Sequence, residues 1–327
     1  MKILFFALII VAQIDYSDAM AEYKETILEA RGPLGPLKGA YVTNAEQNAP
    51  TVIMIPGSGP TDRDGNNPYG IRAFTYKYLA EDLAKNGIHS VRIDKRGLYL
   101  SASAVQNAND VTLHKYVEDI HSWINRLRIL PHISCVWLLG HSEGGLVALL
   151  SAQELSDICG IVLVSTPGQP FGDILRRQLK DNPANAAILP QALEAIAQLE
   201  NGNTVSVDDF HPALQKLFYP DVQNYLIDLM SYDPATLISK VSRPILILQG
   251  DKDLQTKPED ARILSQANSK AHLKMLQNTN HVLKTVTTNN QLENLETYGI
   301  STLPLVPGIA GYISDFIKGK NTTRFVE

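Results

Sequence analysis

Short apolar runs alternate along this chain with helical patterns, and this alternation constrains the fold more than any other feature. The intervening segments, such as 113–127, place apolar residues at helical spacing. Strands that read as continuous apolar runs are typical of parallel sheets buried on both faces. The sequence therefore predicts an α/β fold with a doubly wound, mostly parallel sheet. The apolar runs are TVIMIP (51–56), CVWLLG (135–140) and GIVLVS (160–165), and HSVRID (89–94) is predicted as a further strand.

An antiparallel hairpin is expected ahead of this alternation. ETILEA (25–30) and LKGAYVT (37–43) have strand character, and the Gly- and Pro-rich RGPLGP joins them. Towards the other end, residues 285–307 are polar and show no clear period, so we expect a loop there.

The alternation is interrupted once, over residues 168–241. This stretch has helical patterns and no convincing strand run, and the strand–helix rhythm resumes after it with PILILQGD (244–251). We therefore expect an α/β core formed by residues 22–167 and 242–327, with residues 168–241 as a helical cap over the sheet.

The first 21 residues have the features of an export signal. Lys2 precedes the apolar run ILFFALIIVA, and AMA at 19–21 provides a small-residue cleavage site, so we expect cleavage after Ala21. An uncleaved anchor is the alternative, but the apolar run falls short of the roughly 20 residues that span a bilayer. Export without a stable membrane anchor follows, and the bacterial periplasm is the favoured location.

Charge and cysteine content limit the partners and the redox chemistry. The formal charge of −5 and a pI near 5.9, without a Lys/Arg run, argue against nucleic acid. Cys135 and Cys159 each precede a strand-like run, and parallel neighbouring strands would bring them to one end of the sheet. In an oxidising compartment they form either a disulfide or two buried thiols, and the sequence leaves both open.

A nucleophile turn is predicted at GHSEGG (140–145). The motif lies between a buried strand and a helix, where a G-x-S-x-G turn lifts its serine above the sheet. Residues two before and two after Ser142 must be small, and Gly140 and Gly144 meet that need. The backbone N–H of Glu143 would begin the next helix and point at a developing oxyanion.

A serine needs a histidine base and an orienting carboxylate to act as a nucleophile near neutral pH. In this architecture the acid follows a later strand and the histidine comes last. Asp251 and Asp253 follow one strand run, and His281 follows the next. We choose Asp253, which lies further past its strand. Taken singly, these residues could equally be a plain turn pair and a loop histidine.

The second oxyanion donor is expected from the glycine-rich loop at residues 56–70. Its small residues let the backbone approach a substrate, and the N–H of Ser58 is the chosen donor. A phosphate-binding loop is the rival interpretation, but the loop lacks a Walker lysine, and Asp62 and Asp64 would repel phosphate.

Together these motifs resemble the α/β-hydrolase superfamily, specifically its bacterial esterase and serine-aminopeptidase-like (S33-type) branch. The resemblance implies Ser142 as nucleophile, His281 as general base and Asp253 as acid, with Ser58 and Glu143 lending backbone N–H groups. It covers nearly all of the chain after the signal except the variable cap. The motifs are PGSGP (56–60), DKRG (94–97), GHSEGG (140–145), GDKD (250–253) and NHVLK (280–284).

Two residues depart from the family pattern. Pro56 stands where many relatives have histidine, which leaves the backbone donor undisturbed. Tyr99 stands where relatives often have glycine, so the loop after that strand is expected to differ in shape.

The function predicted is hydrolysis of small-molecule carboxylic esters through an acyl-enzyme. An aminopeptidase or a thioesterase is the alternative, and an aminopeptidase would need carboxylates for the substrate amine, such as Asp208, Asp209 or Asp228. A non-catalytic binding protein is a third alternative. The triad needs no cofactor, and no metal site is expected, because the histidines are scattered. The oligomeric state does not follow from the sequence.

Overall fold

The computed structural model describes residues 23–320 and contains an eight-stranded sheet. The order of the strands is β1-β2-β4-β3-β5-β6-β7-β8. The strands are β1 (Lys24–Ala30), β2 (Leu37–Thr43), β3 (Ala49–Ile55), β4 (His89–Ile93), β5 (Ile133–His141), β6 (Gly160–Val164), β7 (Ile245–Gly250) and β8 (His272–Leu276).

Helices alternate with the strands from β3 onward, and the last two helices follow β8. They are α1 (Thr75–Lys85), α2 (Leu113–Arg128), α3 (Glu143–Glu154), α4 (Phe171–Asp181), α5 (Leu189–Glu200), α6 (Pro212–Leu217), α7 (Pro220–Met230), α8 (Pro234–Ser239), α9 (Pro258–Ala267), α10 (Gln291–Glu296) and α11 (Ile309–Ile317).

The sheet is mostly parallel, which confirms the predicted fold class. β1 and β2 pair antiparallel as the expected hairpin, and β2 pairs antiparallel with β4. From β4 to β8 every pairing is parallel. The carboxyl ends of these parallel strands meet at one edge, so the loops that follow β3, β5, β7 and β8 converge there.

Both faces of the sheet are buried, because successive side chains of each central strand point to opposite sides. Ile53 and Leu138 pack with α2 and α3 on one face. Val52 and Leu139 pack with α1 and α11 on the other face. This burial explains why the strands read as continuous apolar runs rather than as alternating ones.

The segment between β6 and β7 folds into helices α4 to α8. Apolar side chains from α4, α5, α6 and α7 form a cluster of their own, which includes Leu175, Ile196, Phe218 and Leu226. Helix α8 instead packs against α3 and α9. The division at residues 168–241 stays a prediction, although the described helices occupy that span.

The loop expected at residues 285–307 is partly helical. Gln291–Glu296 forms α10 and Thr297–Gly299 forms a 3₁₀ turn, so the expected polar loop, whose shape the sequence left open, contains two short helical segments. The Asn290 side chain accepts from the Leu292 N–H at 2.9 Å and so caps α10. One short turn of helix is too brief to produce a readable apolar period.

The two cysteines lie side by side at the start of neighbouring strands, as expected. The Cys159 N–H donates to the Val136 carbonyl at 2.8 Å. Both are free thiols. Burial is the larger cause, and the neighbouring Cys159 thiol the smaller one, of the rise in the pKa of Cys135 to about 12. The predicted signal, residues 1–21, lies outside the described residues. Within residues 23–320, no helix has the length and apolar character required to cross a bilayer.

A buried ion pair joins the end of β4 to α2. The Arg96 guanidinium donates to both carboxylate oxygens of Asp119, at 2.8 and 2.6 Å. Burial raises the pKa of Asp119 to about 6, although the Arg96 guanidinium opposes this rise. Desolvation therefore offsets much of the attraction, and the pair matters chiefly because neither charge can be left alone.

We expect Asp119→Ala to lower the free energy of unfolding by about 3 kcal/mol, because Arg96 would stay buried with only the exposed Glu118 carboxylate, 3.3 Å away, as a charge partner. A double variant, Arg96→Met with Asp119→Leu, should recover most of that loss. Urea unfolding followed by circular dichroism measures both variants. Equal loss in the single and double variants would contradict this account.

Candidate active site

Ser142 occupies the tight turn between β5 and α3. Its backbone has φ 56° and ψ −124°, which costs a residue with a side chain about 1–3 kcal/mol. The Ser142 N–H donates to the Val164 carbonyl and the Gly145 N–H donates to the Ser142 carbonyl, both at 2.9 Å. The surrounding strands therefore hold the serine in a strained turn at the carboxyl edge of the sheet.

The glycines around Ser142 are required by close backbone approach. A Cβ on Gly140 would overlap the Gly144 carbonyl, as the motif predicts. A Cβ on Gly144 would overlap the Ile55 carbonyl of β3. One glycine thus allows the turn itself, and the other allows the turn to pack on the neighbouring strand.

Asp253 and His281 are hydrogen-bonded to each other. His281 Nδ1 lies 2.8 Å from Asp253 Oδ2, and both side chains are buried. The Gln255 and Thr256 N–H groups donate to Asp253 Oδ1 at 2.8 and 3.0 Å. Asp251 instead has an exposed side chain that accepts from the Thr279 N–H. Of the two aspartates after β7, the fold brings Asp253 to the histidine.

The surroundings of Asp253 keep its carboxylate ionised. Burial alone would raise the pKa of Asp253, but the charge and hydrogen bond of His281, with the Gln255 and Thr256 amides, outweigh burial and lower it to about 2. An ionised carboxylate only accepts hydrogen bonds, so His281 carries its proton on Nδ1. When the ring is neutral, the other nitrogen, Nε2, is the one that can accept a proton.

Ser142 and His281 line one cavity of about 130 Å³, together with Ser58 and Gln255. A second cavity of about 180 Å³ lies on the cap side and is lined by Ser58, Ser142 and Glu143. The fold therefore brings all five sequence-predicted residues to one edge of the sheet, with Asp253 behind His281. Their assignment as triad and oxyanion donors stays a prediction.

Tyr76 and His141 were not singled out from the sequence. They connect the glycine-rich loop at residues 56–70, called here the oxyanion loop, to the loop that carries His281. The Gly57 N–H donates to the Tyr76 hydroxyl oxygen at 3.2 Å. Tyr76 Oη lies 2.8 Å from His141 Nδ1, and His141 Nε2 lies 2.8 Å from the His281 carbonyl oxygen. Because that carbonyl can only accept, His141 Nε2 carries the proton and Nδ1 accepts from Tyr76.

Burial, aided by the charge of His281, lowers the pKa of His141 to about 3, so this ring stays neutral. His141 lies inside the GHSEGG motif, and that position was the one available sequence signal. Nothing in the sequence places Tyr76 beside it, because the contact joins α1 to the end of β5.

The charged residues after β4 do three different things. Asp94 Oδ2 accepts from Arg63 Nη1 at 2.8 Å and so anchors the oxyanion loop. Arg96 pairs with Asp119, and the Lys95 amine donates to backbone carbonyls of that loop. Tyr99, at the position of the family glycine, has φ 47°, and its hydroxyl donates to the Pro60 carbonyl. The loop after β4 therefore touches the oxyanion loop, and its difference in shape from the loops of relatives stays a prediction.

The cap carboxylates proposed for an aminopeptidase do not line either cavity. Asp208 and Asp209 are exposed. Asp228 accepts from the Leu113 N–H at 2.7 Å, which ties α7 to the start of α2. In the part of the chain that is described, no cluster of three or more His, Cys, Asp or Glu residues is placed to hold a metal ion.

Solved structures with this fold include the α/β hydrolase GrgF from Penicillium sp. sh18. It is 20% identical, with a TM-score of 0.59, and the match covers 90% of this chain and 98% of that one. Est1E from Butyrivibrio proteoclasticus, solved with ferulic acid, is 16% identical with a TM-score of 0.54, and the match covers 83% of this chain and 96% of that one. At these identities the likeness supports the fold alone.

Curated relatives include esterase EstD from Thermotoga maritima, 28% identical over 244 residues, which cover 72% of this chain and 54% of EstD. Phospholipase YtpA from Bacillus subtilis is 35% identical over 94 residues, 28% of this chain and 34% of YtpA. The chain therefore spans about half the length of the first relative and a third of the second.

The family model for serine aminopeptidase, S33, matches residues 69–285, more than half of the chain. The chain belongs to this serine aminopeptidase S33 family of the α/β hydrolases.

Proposed function

We propose that this protein is a serine hydrolase that cleaves carboxylic esters with small apolar acyl groups through an acyl-enzyme. Ser142 attacks the carbonyl, and His281 accepts its proton on Nε2 and passes it to the leaving alcohol. Asp253 orients the imidazole and stabilises its charged form. Water then attacks the acyl-enzyme with His281 again as base, which releases the acid and regenerates Ser142.

The tetrahedral intermediate carries a negative oxygen that needs fixed donors. The N–H of Glu143 begins α3, where the helix dipole favours negative charge, and Ser58, in the loop after β3, lines the same cavity, so we take its N–H as the second donor. Because these donors belong to the backbone, they need no rearrangement during the reaction.

The nature of the two cavities carries the choice of an ester over a peptide. Among their lining residues, Glu143 is the single acidic one. Its carboxylate is buried and hydrogen-bonded to Tyr225, with Lys95 nearby. The cap-side cavity is otherwise apolar with amide groups, so it suits an uncharged acyl chain better than a free amine. Its apolar walls are Leu146, Pro167, Phe171, Ile174, Leu229 and Pro234.

Aminopeptidase and thioesterase activity are the competing functions. The family model is named for an aminopeptidase, whereas the first curated relative is named an esterase. A thioester presents the same acyl group with a different leaving atom, so the acyl cavity would accept both.

Ser142→Ala should abolish turnover of p-nitrophenyl butyrate, with kcat falling at least about 10³-fold, because no other group can form the acyl-enzyme. The assay compares wild type and variant on this ester, a butyryl thioester and an alanyl p-nitroanilide. Ser151→Ala is the matched control, because Ser151 is a buried serine in α3 that lines neither cavity. Anilide cleavage without ester cleavage would transfer the proposal to an aminopeptidase.

Asp253→Asn should lower kcat about 10³- to 10⁴-fold while the native fold is retained, because an amide can donate to Nδ1 and then favours the wrong histidine tautomer. Asp251→Asn is its control and should keep the wild-type kcat. If Asp251→Asn instead gave the larger loss, the acid would be misassigned.

The depressed pKa of Asp253 predicts a pH-dependent stability. Its folded pKa of about 2 lies below the usual 3.8, so the ionised carboxylate stabilises the fold above pH ~4 and this contribution is lost as pH falls towards 2. We expect the stability advantage of wild type over Asp253→Asn to shrink by about 1 kcal/mol between pH 6 and pH 3. Urea unfolding at both pH values measures it, and a constant difference would contradict the assigned pKa.

A further inference from the structure

The Lys95 side chain lies beneath the oxyanion loop. Lys95 follows β4 and is 5% exposed. Its Nζ donates to the Gly57 carbonyl and to the Gly59 carbonyl, both at 2.7 Å. These two carbonyls flank Ser58, so one buried amine fixes the backbone on both sides of the predicted oxyanion donor.

Peptide geometry converts this contact into control of the donor. The Gly57 carbonyl and the Ser58 N–H belong to the same peptide unit, which is planar and trans, so the two groups point in opposite directions. An amine that holds the carbonyl oxygen on the inner side therefore aims the N–H outward. A hydrogen bond to the carbonyl oxygen also polarises the amide and strengthens its N–H as a donor.

The preceding peptide unit, between Pro56 and Gly57, is held as well. The Gly57 N–H donates to Tyr76 Oη, which is bonded to the neutral His141 ring. Gly57 is therefore anchored through both its N–H and its carbonyl. Of these anchors, the Lys95 amine is the one that acts on the peptide unit that carries the Ser58 N–H.

Burying the Lys95 amine costs free energy, and its other contacts offset part of that cost. Burial lowers the pKa of Lys95, and the nearby Glu143 carboxylate raises it. The amine also lies 5.6 Å from the centre of the Tyr116 ring. Lys95 does not line either substrate cavity, so it does not bind an anionic substrate there.

We propose that Lys95 is a positioning residue of the oxyanion hole, which acts through the Gly57–Ser58 peptide and not by contact with substrate. This proposal rests on the proposed function. A purely structural role, as a buried counter-charge for Glu143, is the alternative that the experiment must separate from it.

Lys95→Met removes the donor and keeps the side-chain length. We expect kcat for p-nitrophenyl butyrate to fall about 10- to 100-fold with KM within about 3-fold, because the oxyanion forms only in the transition state. The labelling rate of Ser142 by a fluorophosphonate, whose reaction also develops an anionic oxygen, should fall by a similar factor.

The matched control is Asn268→Leu. Asn268 Nδ2 donates to the Ile238 and Val241 carbonyls at 2.8 and 2.9 Å, and Asn268 lines neither substrate cavity. This variant loses a two-carbonyl contact of the same kind and should lose stability while keeping the wild-type kcat and labelling rate.

Lys95→Gln, a polar and shorter side chain, is the second variant and is judged by the same criteria if Lys95→Met does not fold. A folded Lys95 variant with wild-type kcat and labelling rate overturns the proposal, as does an equal loss of kcat in Asn268→Leu. A wild type that is labelled but hydrolyses no ester would instead contradict the proposed function. The labelling rate then still tests Lys95 by itself.

Discussion

The strained turn at Ser142 is the constraint on which the rest of the site depends. A non-glycine residue at φ 56° persists where the surrounding structure holds it, and here β5, the strand that ends at the turn, is paired with β3 on one side and with β6 on the other. Gly140 and Gly144 allow this approach, and the hydrogen bond from Ser142 to Val164 ties the turn to the next strand. The packing and hydrogen bonds of the buried central strands offset the free energy of this strain.

Around this turn, buried charges are each given a defined partner. The Asp253 carboxylate meets His281 and two backbone amides, and the Lys95 amine meets two backbone carbonyls. Arg96 and Asp119 pair with each other one step away from the site. Such groups are expensive to bury alone, so each of them is fixed in position by the same contacts that make its burial tolerable.

Several parts of the site were beyond the reach of the sequence. Tyr76 and His141 meet through a contact between α1 and the end of β5, and no spacing along the chain announces it. Lys95 could be read as one of three charged residues at a strand end, but its partners are backbone atoms of a distant loop. Helix α10 was missed because one capped turn produces no apolar period.

The sequence by itself determined the fold class, the order of the strands and helices, and the candidates Ser142, Asp253 and His281. It could do so because strands that are buried on both faces consist mainly of apolar residues, and because a strained turn requires small residues at set positions. The tertiary structure then shows the hydrogen bond between His281 and Asp253 that the choice of Asp253 anticipated, and it alone decided that Lys95 holds the oxyanion loop. Those contacts depend on distances between segments far apart in the chain, and side-chain packing sets such distances after the elements have formed.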